Sequence, residues 1–500
     1  MNVPVRVLDP VTAVIAPGQS AVGSTAYVAD RLLVDPSADL DVVMTALAPA
    51  LAELGWMVAS VDEPRRTDVK QVARREYRGH VTLTIEQGKE RLTTVPDAWV
   101  ALQHLALADP RLAALVHLDH LVAACPGYWD GIAGYWDGIA GYWDGIAGYW
   151  DGIAGSSQAP AEFGRPGFGG KAPVSLVIAD PARSVPPLEW APVVVMLDTG
   201  IGPHPWFPRR DSSGHLVAGA DERSVVTVHG AGADDTAGVS DPMTGTLDRL
   251  AGHGTFIAGI VRQVCPAARL VSYAMLGSTG SLTESELLDR LSRLVDDQHD
   301  AIAAGDRDRL VDVVSLSIGY YHEKPEDAQT DALLSKVLRD LGRVGVVVVA
   351  AAGNDATARP LLPAGFAAAP ARDGLPVLSV GAQNPNFDDI SLFSNGGAWV
   401  THHRRGAAIV STLPIRQNAS GQESTLTRGS GHRARATIDR DDYRGGFGTW
   451  SGTSFAAPVL AGEVAAALLD LGPVALDPAA LVARGEAAVK RLSPLERGFQ

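Results

Sequence analysis

The apolar positions of this 500-residue chain change rhythm partway along it, and the change divides the sequence into two folded parts. In the first part, Thr25 to Val34 alternates in the period-2 pattern of a half-buried strand. Asp39 to Leu54 carries apolar residues at helical spacing, and Gly55 ends it. Trp56 to Val61 and Val81 to Ile85 read as further strands, and Pro96 to Leu107 as a second helix. Arg111 to Val122 fits a strand or a helix equally well. Strand–helix–strand–strand–helix with a closing strand is the order of a ferredoxin-like layer, so residues 1–124 are predicted to form a small α+β module.

From about Glu189 to Leu471 the alternation gives way to continuous apolar runs: Val193 to Leu197, Val311 to Ile318, Val344 to Ala352 and Val377 to Val380. Helical stretches such as Thr255 to Val264 and Ser285 to Val295 separate them. Strands buried on both faces and alternating with helices predict an α/β unit with a mostly parallel sheet covered on both sides. Asp477 to Arg491 reads as one amphipathic helix packed on that unit. The expected boundaries are 1–124 for the N-terminal module, 125–188 for a linker, 189–475 for the α/β unit and 476–500 for a C-terminal helix and tail.

The linker contains an internal repeat. Gly-Tyr-Trp-Asp-Gly-Ile-Ala occurs four times unchanged between Gly127 and Ala154. Its period of seven invites a coiled-coil reading, but two glycines per copy cost a helix about 1 kcal/mol each, and no Leu or Val forms a seam. Trp-Asp-Gly suits a recurrent turn. The repeat is therefore read as a spacer, or as an aromatic arm in which Tyr128, Trp129 and their copies dock on a partner.

Four short motifs in the α/β unit carry chemistry. Val-Val-Val-Met-Leu-Asp198-Thr-Gly places a carboxylate where a buried strand leaves the sheet, the end at which α/β folds gather ligands. Gly252-His253-Gly-Thr places an imidazole at the start of a helix. Ala352-Gly353-Asn354 ends a buried strand with an amide donor, and Gly452-Thr-Ser454-Phe-Ala-Ala-Pro458 places a hydroxyl at a helix N-terminus, facing free N–H groups and the positive end of the dipole. Each has an ordinary reading alone: a helix-capping His or Ser, a turn Asn, or an Asp-Thr-Gly loop of the aspartic-protease kind, which would require a second copy that the chain lacks. Together they suit acyl transfer, with Ser454 attacking a carbonyl, His253 taking its proton, Asp198 orienting the imidazole, and Asn354 with the Ser454 N–H receiving the oxyanion.

Asp, then His, then Ser is the subtilisin order, and the local text of all four motifs resembles the subtilisin-like serine protease (subtilase) family over roughly residues 190–470. The resemblance implies a subtilisin-like fold and a serine endopeptidase acting on extended polypeptides. Ser315-Leu-Ser317-Ile318-Gly319 resembles the strand that pairs with substrate, and Phe393-Ser-Asn395 the stretch after the specificity pocket. On that footing Ser317, Ile318, Gly319, Gly353 and Asp355 are expected to bind substrate, with Asp355 either favouring Lys or Arg before the scissile bond or serving as a solvated loop carboxylate. Precursors of such enzymes carry ferredoxin-like prodomains, so the N-terminal module is expected to be a folding aid, an inhibitor or a permanent docking module. The long spacing from Asp198 to His253 implies a surface excursion near Asp211 to Thr246, and Pro414 to Gly448 is a polar insertion before the nucleophile.

Composition trims the alternatives. An apolar fraction of 46% with 20% charged residues is that of a soluble globular protein. A formal charge of −15 argues against nucleic acid as a partner. No stretch approaches the roughly 20 apolar residues of a membrane span. Asp9 and Pro10 interrupt the N-terminus where a signal peptide needs its apolar core, which leads to an expectation of a cytoplasmic protein. Cys125 and Cys265 are the only cysteines and are expected to stay reduced, Cys265 as a small buried hydrophobe. His117 with His120, and His402 with His403, lack nearby ligands in sequence, and Asp234-Asp235 and Asp388-Asp389 match no calcium loop. No cofactor or metal is assigned, and structural calcium is left open. The partners expected are a polypeptide substrate and a regulator binding the N-terminal module or the repeat. The competing reading is a protease-fold scaffold whose repeat and N-terminal module bind a partner.

Overall fold

The computed structural model describes residues 3–62, 80–88, 95–124, 170–176, 178–209, 225–230, 235, 239–241, 243, 246–248, 250–277, 280–324, 332–368, 373–417, 426–427, 434–436 and 443–492. The heptapeptide repeat and Cys125 lie outside the described residues.

The N-terminal module builds its layer from β1 (Val5–Leu8), β2 (Thr25–Val34), α1 (Leu40–Leu54), β3 (Trp56–Asp62), β4 (Val81–Gln87), α2 (Ala98–Ala108) and β5 (Val116–Ala124). Local chemistry sets the helix ends: the Asp39 and Asp97 carboxylates accept N–H groups of the first turns of α1 and α2, and Gly55 closes α1 in the left-handed region. The strands run antiparallel in the order β5-β2-β4-β3, the split arrangement expected of βαββαβ connectivity, with β1 added to β2. Leu32, Val43, Leu47, Leu83, Leu105 and Leu118 are wholly buried between sheet and helices. The ambiguous segment Arg111 to Val122 is a single helical turn, Pro110–Ala113, followed by β5.

The larger unit holds seven parallel strands: β6 (Val193–Asp198), β7 (Val226–His229), β8 (Arg269–Ala274), β10 (Val313–Leu316), β12 (Val347–Ala351), β13 (Val377–Gln383) and β14 (His402–Arg405). Their order is β14-β13-β12-β10-β6-β8-β7. The Val-rich strands β6, β10 and β12 are buried along their whole length, as a sheet covered on both faces requires. Helices α3 (His253–Val264) and α6 (Thr453–Leu471) pack together on the sheet. Helices α4 (Glu284–Ala304) and α5 (Ala332–Arg343) form a second pair, and α7 (Pro478–Arg491) closes against α5 and α6. Among the described residues α6 alone is long and apolar enough to cross a bilayer, yet most of it is buried as the central core helix.

Two sections of chain sit differently from expectation. Ala172–Pro173, in the stretch read as linker, pairs with Gly448–Thr449, and the Lys171 ammonium donates to the Ala251 carbonyl beside α3. The excursion after Asp198 is not confined to the surface. It supplies the edge strand β7 and brings the Asp235 carboxylate into the interior.

Two short strands of the larger unit join the other sheet. β9 (Ser281–Thr283) and β11 (Ile318–Gly319) both pair antiparallel with β5 of the N-terminal module. Ala123 and Ala124 lie opposite Gly319 and Ile318, Val122 lies opposite Leu282, and the Ala124 N–H donates to the Gly280 carbonyl at 3.2 Å. Val122 and Ala124 are buried in the apolar cluster of the larger unit.

Candidate active site

Asp198 is the last residue of β6, whose neighbour β10 leads into the Ser317–Gly319 segment, and its carboxylate faces the first turn of α3. Gly252 precedes that helix with φ +82, a left-handed conformation suited to glycine. A Cβ on Gly254 would lie 2.1 Å from the Gly200 carbonyl oxygen, so only glycine lets helix and strand approach this closely. The approach sets His253 Nδ1 2.8 Å and 3.0 Å from the two Asp198 oxygens. Asp198 is held in turn by the Thr199 N–H at 2.8 Å. The carboxylate fixes the tautomer: Nδ1 carries the proton and donates to Asp198, leaving Nε2 a lone pair. His253 Nε2 is buried without a hydrogen-bond partner.

Ser454 is the second residue of α6, so its N–H is among those an α-helix leaves unpaired. Pro458, four residues on, has no N–H to give the Ser454 carbonyl. The Ser317 hydroxyl takes that place, donating to the Ser454 carbonyl at 2.9 Å. In return the Ser454 hydroxyl lies 3.5 Å from the Ser317 carbonyl oxygen. The structure thus pairs the Ser454 hydroxyl with Ser317 rather than with His253. The imidazole nevertheless packs against the adjacent residue, with the His253 and Phe455 rings 5.4 Å apart and Trp450 edge-on at 5.5 Å. His253 and Ser454 are both 0% exposed, a dry setting that strengthens electrostatic interactions.

Asn354 follows β12 and is oriented from one side. Its Oδ1 accepts the Thr453 N–H at 2.8 Å and the Thr453 hydroxyl at 2.9 Å, which settles which end of the amide is which. Nδ2 then points away, buried and without a partner. Two orphaned polar atoms, one acceptor and one donor, therefore lie on the two elements that flank the N-terminus of α6. Buried polar groups are ordinarily paired, and such exceptions call for a functional account.

The residues expected to bind substrate divide into two groups. Ile318 and Gly319 present a strand edge, which β5 occupies here. Gly353 has φ +104, and a Cβ there would meet Asn395 Nδ2 at 2.3 Å. Asp355 accepts the Tyr321 hydroxyl at 2.5 Å, and its N–H donates to Asn395 Oδ1 at 2.9 Å. Asn395, wholly buried, also donates to Tyr321 Oη and to the Ala352 carbonyl, and so ties this wall together.

Folding also assembles a cluster that sequence reasoning missed. His120 of β5 lies between two carboxylates of the larger unit, Nδ1 2.6 Å from Glu284 and Nε2 2.8 Å from Glu323. Burial opposes the charged imidazole, but the hydrogen bonds and charges of Glu284 and Glu323 outweigh it and raise His120 well above its ordinary value. Glu323, despite its burial, is held far below the usual carboxylate range by His322 and His120. The Tyr320 hydroxyl donates to Glu284 at 2.9 Å, and neighbouring Asp119 accepts the Ser285 N–H and hydroxyl, both at 2.9 Å. His120, His322 and Glu323 offer donor atoms within 4.8 Å of one another, a proximity invisible in the sequence. Both His120 nitrogens are already paired, so the arrangement is that of an imidazolium between carboxylates. His402 and His403, by contrast, are pushed down to about 4, first by burial and then by Arg404, and stay neutral. Cys265 is buried after the last turn of α3, and burial pushes its thiol up to about 11.

Comparison with known proteins follows the same outline. Residues 191–480 match the profile of the family described as "Subtilase family". A thermophilic serine proteinase of Bacillus sp. (strain AK1) is 31% identical over 183 residues, which take in 35% of this chain and 37% of that protein. The match thus spans little more than a third of this curated relative's length. A solved structure of a cold adapted subtilisin-like serine proteinase aligns at 20% identity with a TM-score of 0.34, covering 58% of this chain and 79% of that one.

Proposed function

This chain belongs to the subtilase family, and from that premise we propose that it is a serine endopeptidase hydrolysing peptide bonds of extended polypeptides. Ser454 is the nucleophile and His253 the general base, with Asp198 holding the imidazole and stabilising the imidazolium. The carbonyl carbon of the substrate bonds to Ser454 Oγ as the hydroxyl proton passes to His253 Nε2. The resulting oxyanion is received by Asn354 Nδ2 and the Ser454 N–H. The imidazolium then returns its proton to the departing amine, and water releases the acyl group by the same route.

One observation carries this reading: His253 Nε2 and Asn354 Nδ2, the base and the donor that acyl transfer needs, are both buried and unpaired, one on a ring packed against Phe455 and the other on the amide that holds Thr453. The reading requires the Ser454 hydroxyl to turn from the Ser317 carbonyl toward the imidazole, a χ1 rotation of the kind side chains make readily. A fluorophosphonate probe tests it. Labelling of the full chain that is lost in Ser454→Ala is the expected outcome. No Ser454-dependent labelling, in folded protein both intact and with β5 displaced by Ala123→Pro, would instead favour the scaffold reading.

The pairing of β5 with Gly280, β9 and β11 supports a second part of the proposal. The N-terminal module is an intramolecular inhibitor that lays an extended strand along the edges meant for substrate, using the main-chain recognition a peptide would use. Ala123→Pro removes a ladder hydrogen bond and is expected to speed labelling of Ser454. Unchanged labelling in a variant shown to have detached its module would count against inhibition.

A further inference from the structure

We infer that Asp235 is a positioning residue for His253: a buried carboxylate, supplied by the excursion between β7 and α3, that caps the catalytic helix from outside and stands behind Asp198. The inference rests on the assignment of His253 as the general base.

A helix that begins at its catalytic histidine has a structural difficulty. Its first N–H groups need acceptors, yet Gly252 at the N-cap has no side chain to offer one. Asp235 fills the gap. One oxygen accepts the Gly252 N–H at 3.2 Å, and the other accepts the Thr255 N–H at 3.0 Å and the Thr255 hydroxyl at 2.5 Å. These are the bonds of an N-cap residue, made from 17 and 20 residues away in sequence. The Thr255 hydroxyl also accepts the Gly202 N–H at 2.7 Å, so the same bond ties α3 to the loop after Asp198. Thr199 extends the line, since its hydroxyl hydrogen-bonds Asp235, lies 3.3 Å from Asp198, and accepts the Gly254 N–H at 2.9 Å. Backbone on both sides of His253 is thus anchored to one carboxylate.

The site is built at a cost. Asp235 is 2% exposed and sits at φ +44, a left-handed conformation uncommon for a residue with a Cβ. Burial, with a further contribution from Asp198, pushes its carboxyl up to about 6, against the lowering effect of its bonds to Thr255 and Thr199. Among the described residues, the titratable groups facing it are Asp198 on β6, joined to it through Thr199, and His253 on α3, whose flanking N–H groups it accepts. Asp248 lies in the turn before α3, capping the Leu250 N–H, and Lys171 donates to the Ala251 carbonyl. A carboxylate of this kind aligns the helix and adds negative charge on the side of the imidazole where positive charge develops. It loses both functions when protonated.

The test is the second-order rate of fluorophosphonate labelling of Ser454 in the full chain, followed from acid to neutral pH for the parent and Asp235→Asn. The parent is expected to show an acid limb steepened by protonation of Asp235, whose carboxyl burial pushes up to about 6. In Asp235→Asn the plateau rate falls about ten- to a hundredfold through misplacement of the imidazole. Its acid limb becomes shallower and moves to lower pH, because the titrating carboxylate and its charge are gone. A folded Asp235→Asn with the parent's limb and plateau overturns the inference, since a merely structural cap would not move the pH profile. Should that variant fail to fold, Thr199→Val keeps the Asp235 bonds to Gly252 and Thr255 and removes the hydroxyl that joins Asp235, Asp198 and the Gly254 N–H. Its limb is expected to move in the same direction, and an unmoved limb overturns the inference. A parent that never labels removes the function assigned to Ser454 and His253, and this inference with it, whereas a labelling parent beside an unaltered Asp235→Asn removes this inference alone.

Discussion

Among the described residues two imidazoles lie wholly buried, each against carboxylate, and they differ in what is done with the second nitrogen. His253 gives Nδ1 to Asp198 and keeps Nε2 unpaired. His120 has one carboxylate on each side, Glu284 and Glu323, and keeps nothing. The first arrangement leaves a base able to take a proton from a neighbour. The second leaves a cation with no free valence, so its contribution is cohesion between the N-terminal module and the larger unit. Burial and a short hydrogen bond to carboxylate are therefore no mark of catalysis by themselves. The unpaired atom is the distinguishing feature.

The largest effects are expected at His253. Asp198→Asn would present an amide to Nδ1, favour the wrong tautomer and lower kcat on a peptide substrate by about 10⁴. A loss of less than about tenfold would show that Asp198 does not set the tautomer. Asn354→Ala removes a donor and is expected to lower kcat by about 10²–10³ with little change in KM, the scale characteristic of that donor in subtilisin itself. A rise in KM at constant kcat would move Asn354 from oxyanion stabilisation to substrate binding.

At the other imidazole the same kind of change should act on assembly and leave chemistry alone. His120→Ala would strand Glu284 and Glu323 as facing buried charges, at a cost of about 3–5 kcal/mol. If the module inhibits, its release would speed fluorophosphonate labelling by about a hundredfold or more at neutral pH, and limited proteolysis would remove the module faster. Slower labelling with the module still attached would place His120 in the catalytic machinery and dissolve the comparison.

Sequence and structure part company along the same line. Asp198, His253, Asn354 and Ser454 were legible because each sits in a local text: a carboxylate at a strand end, Gly252 and Gly452 before helices, and an amide after Ala-Ala-Gly. The elements of the N-terminal module were legible for the same reason, Asp39 and Gly55 punctuating α1. β5 was not, because Leu118, Asp119 and His120 are all buried and the alternation of a half-exposed strand is lost. His120 finds its partners 164 and 203 residues away, and Asp235 caps a helix it does not belong to. A lone His and an Asp in a long excursion carry no local signal of either role. Tertiary partnership alone gives them meaning, and no spacing rule spans such distances.

The smallest predicted effect is the sharpest, because it concerns the titration of His120. Its folded value is raised by Glu284 and Glu323, so the stability it lends to the interface is complete below the ordinary imidazole value of about 6.5 and lost as pH rises through the raised one. Glu323 behaves in the opposite sense: lowered by His322 and His120, it contributes above the ordinary glutamate value of about 4.3 and fails only in strong acid. The cluster therefore holds across the neutral range and loosens in alkali. Other groups face it: Arg359, which donates to the His322 carbonyl; Arg31, which pairs with Asp119 at 3.7 Å; and Tyr320 on Glu284. Glu284→Gln keeps the shape of the contact and removes one of the two charges that raise His120. Alkaline loosening, read as the onset of faster Ser454 labelling or of faster proteolysis of the N-terminal module, should then begin at lower pH. An onset at the same pH in parent and variant would mean that the titrating group is not His120, and that the two imidazoles differ in position but not in kind.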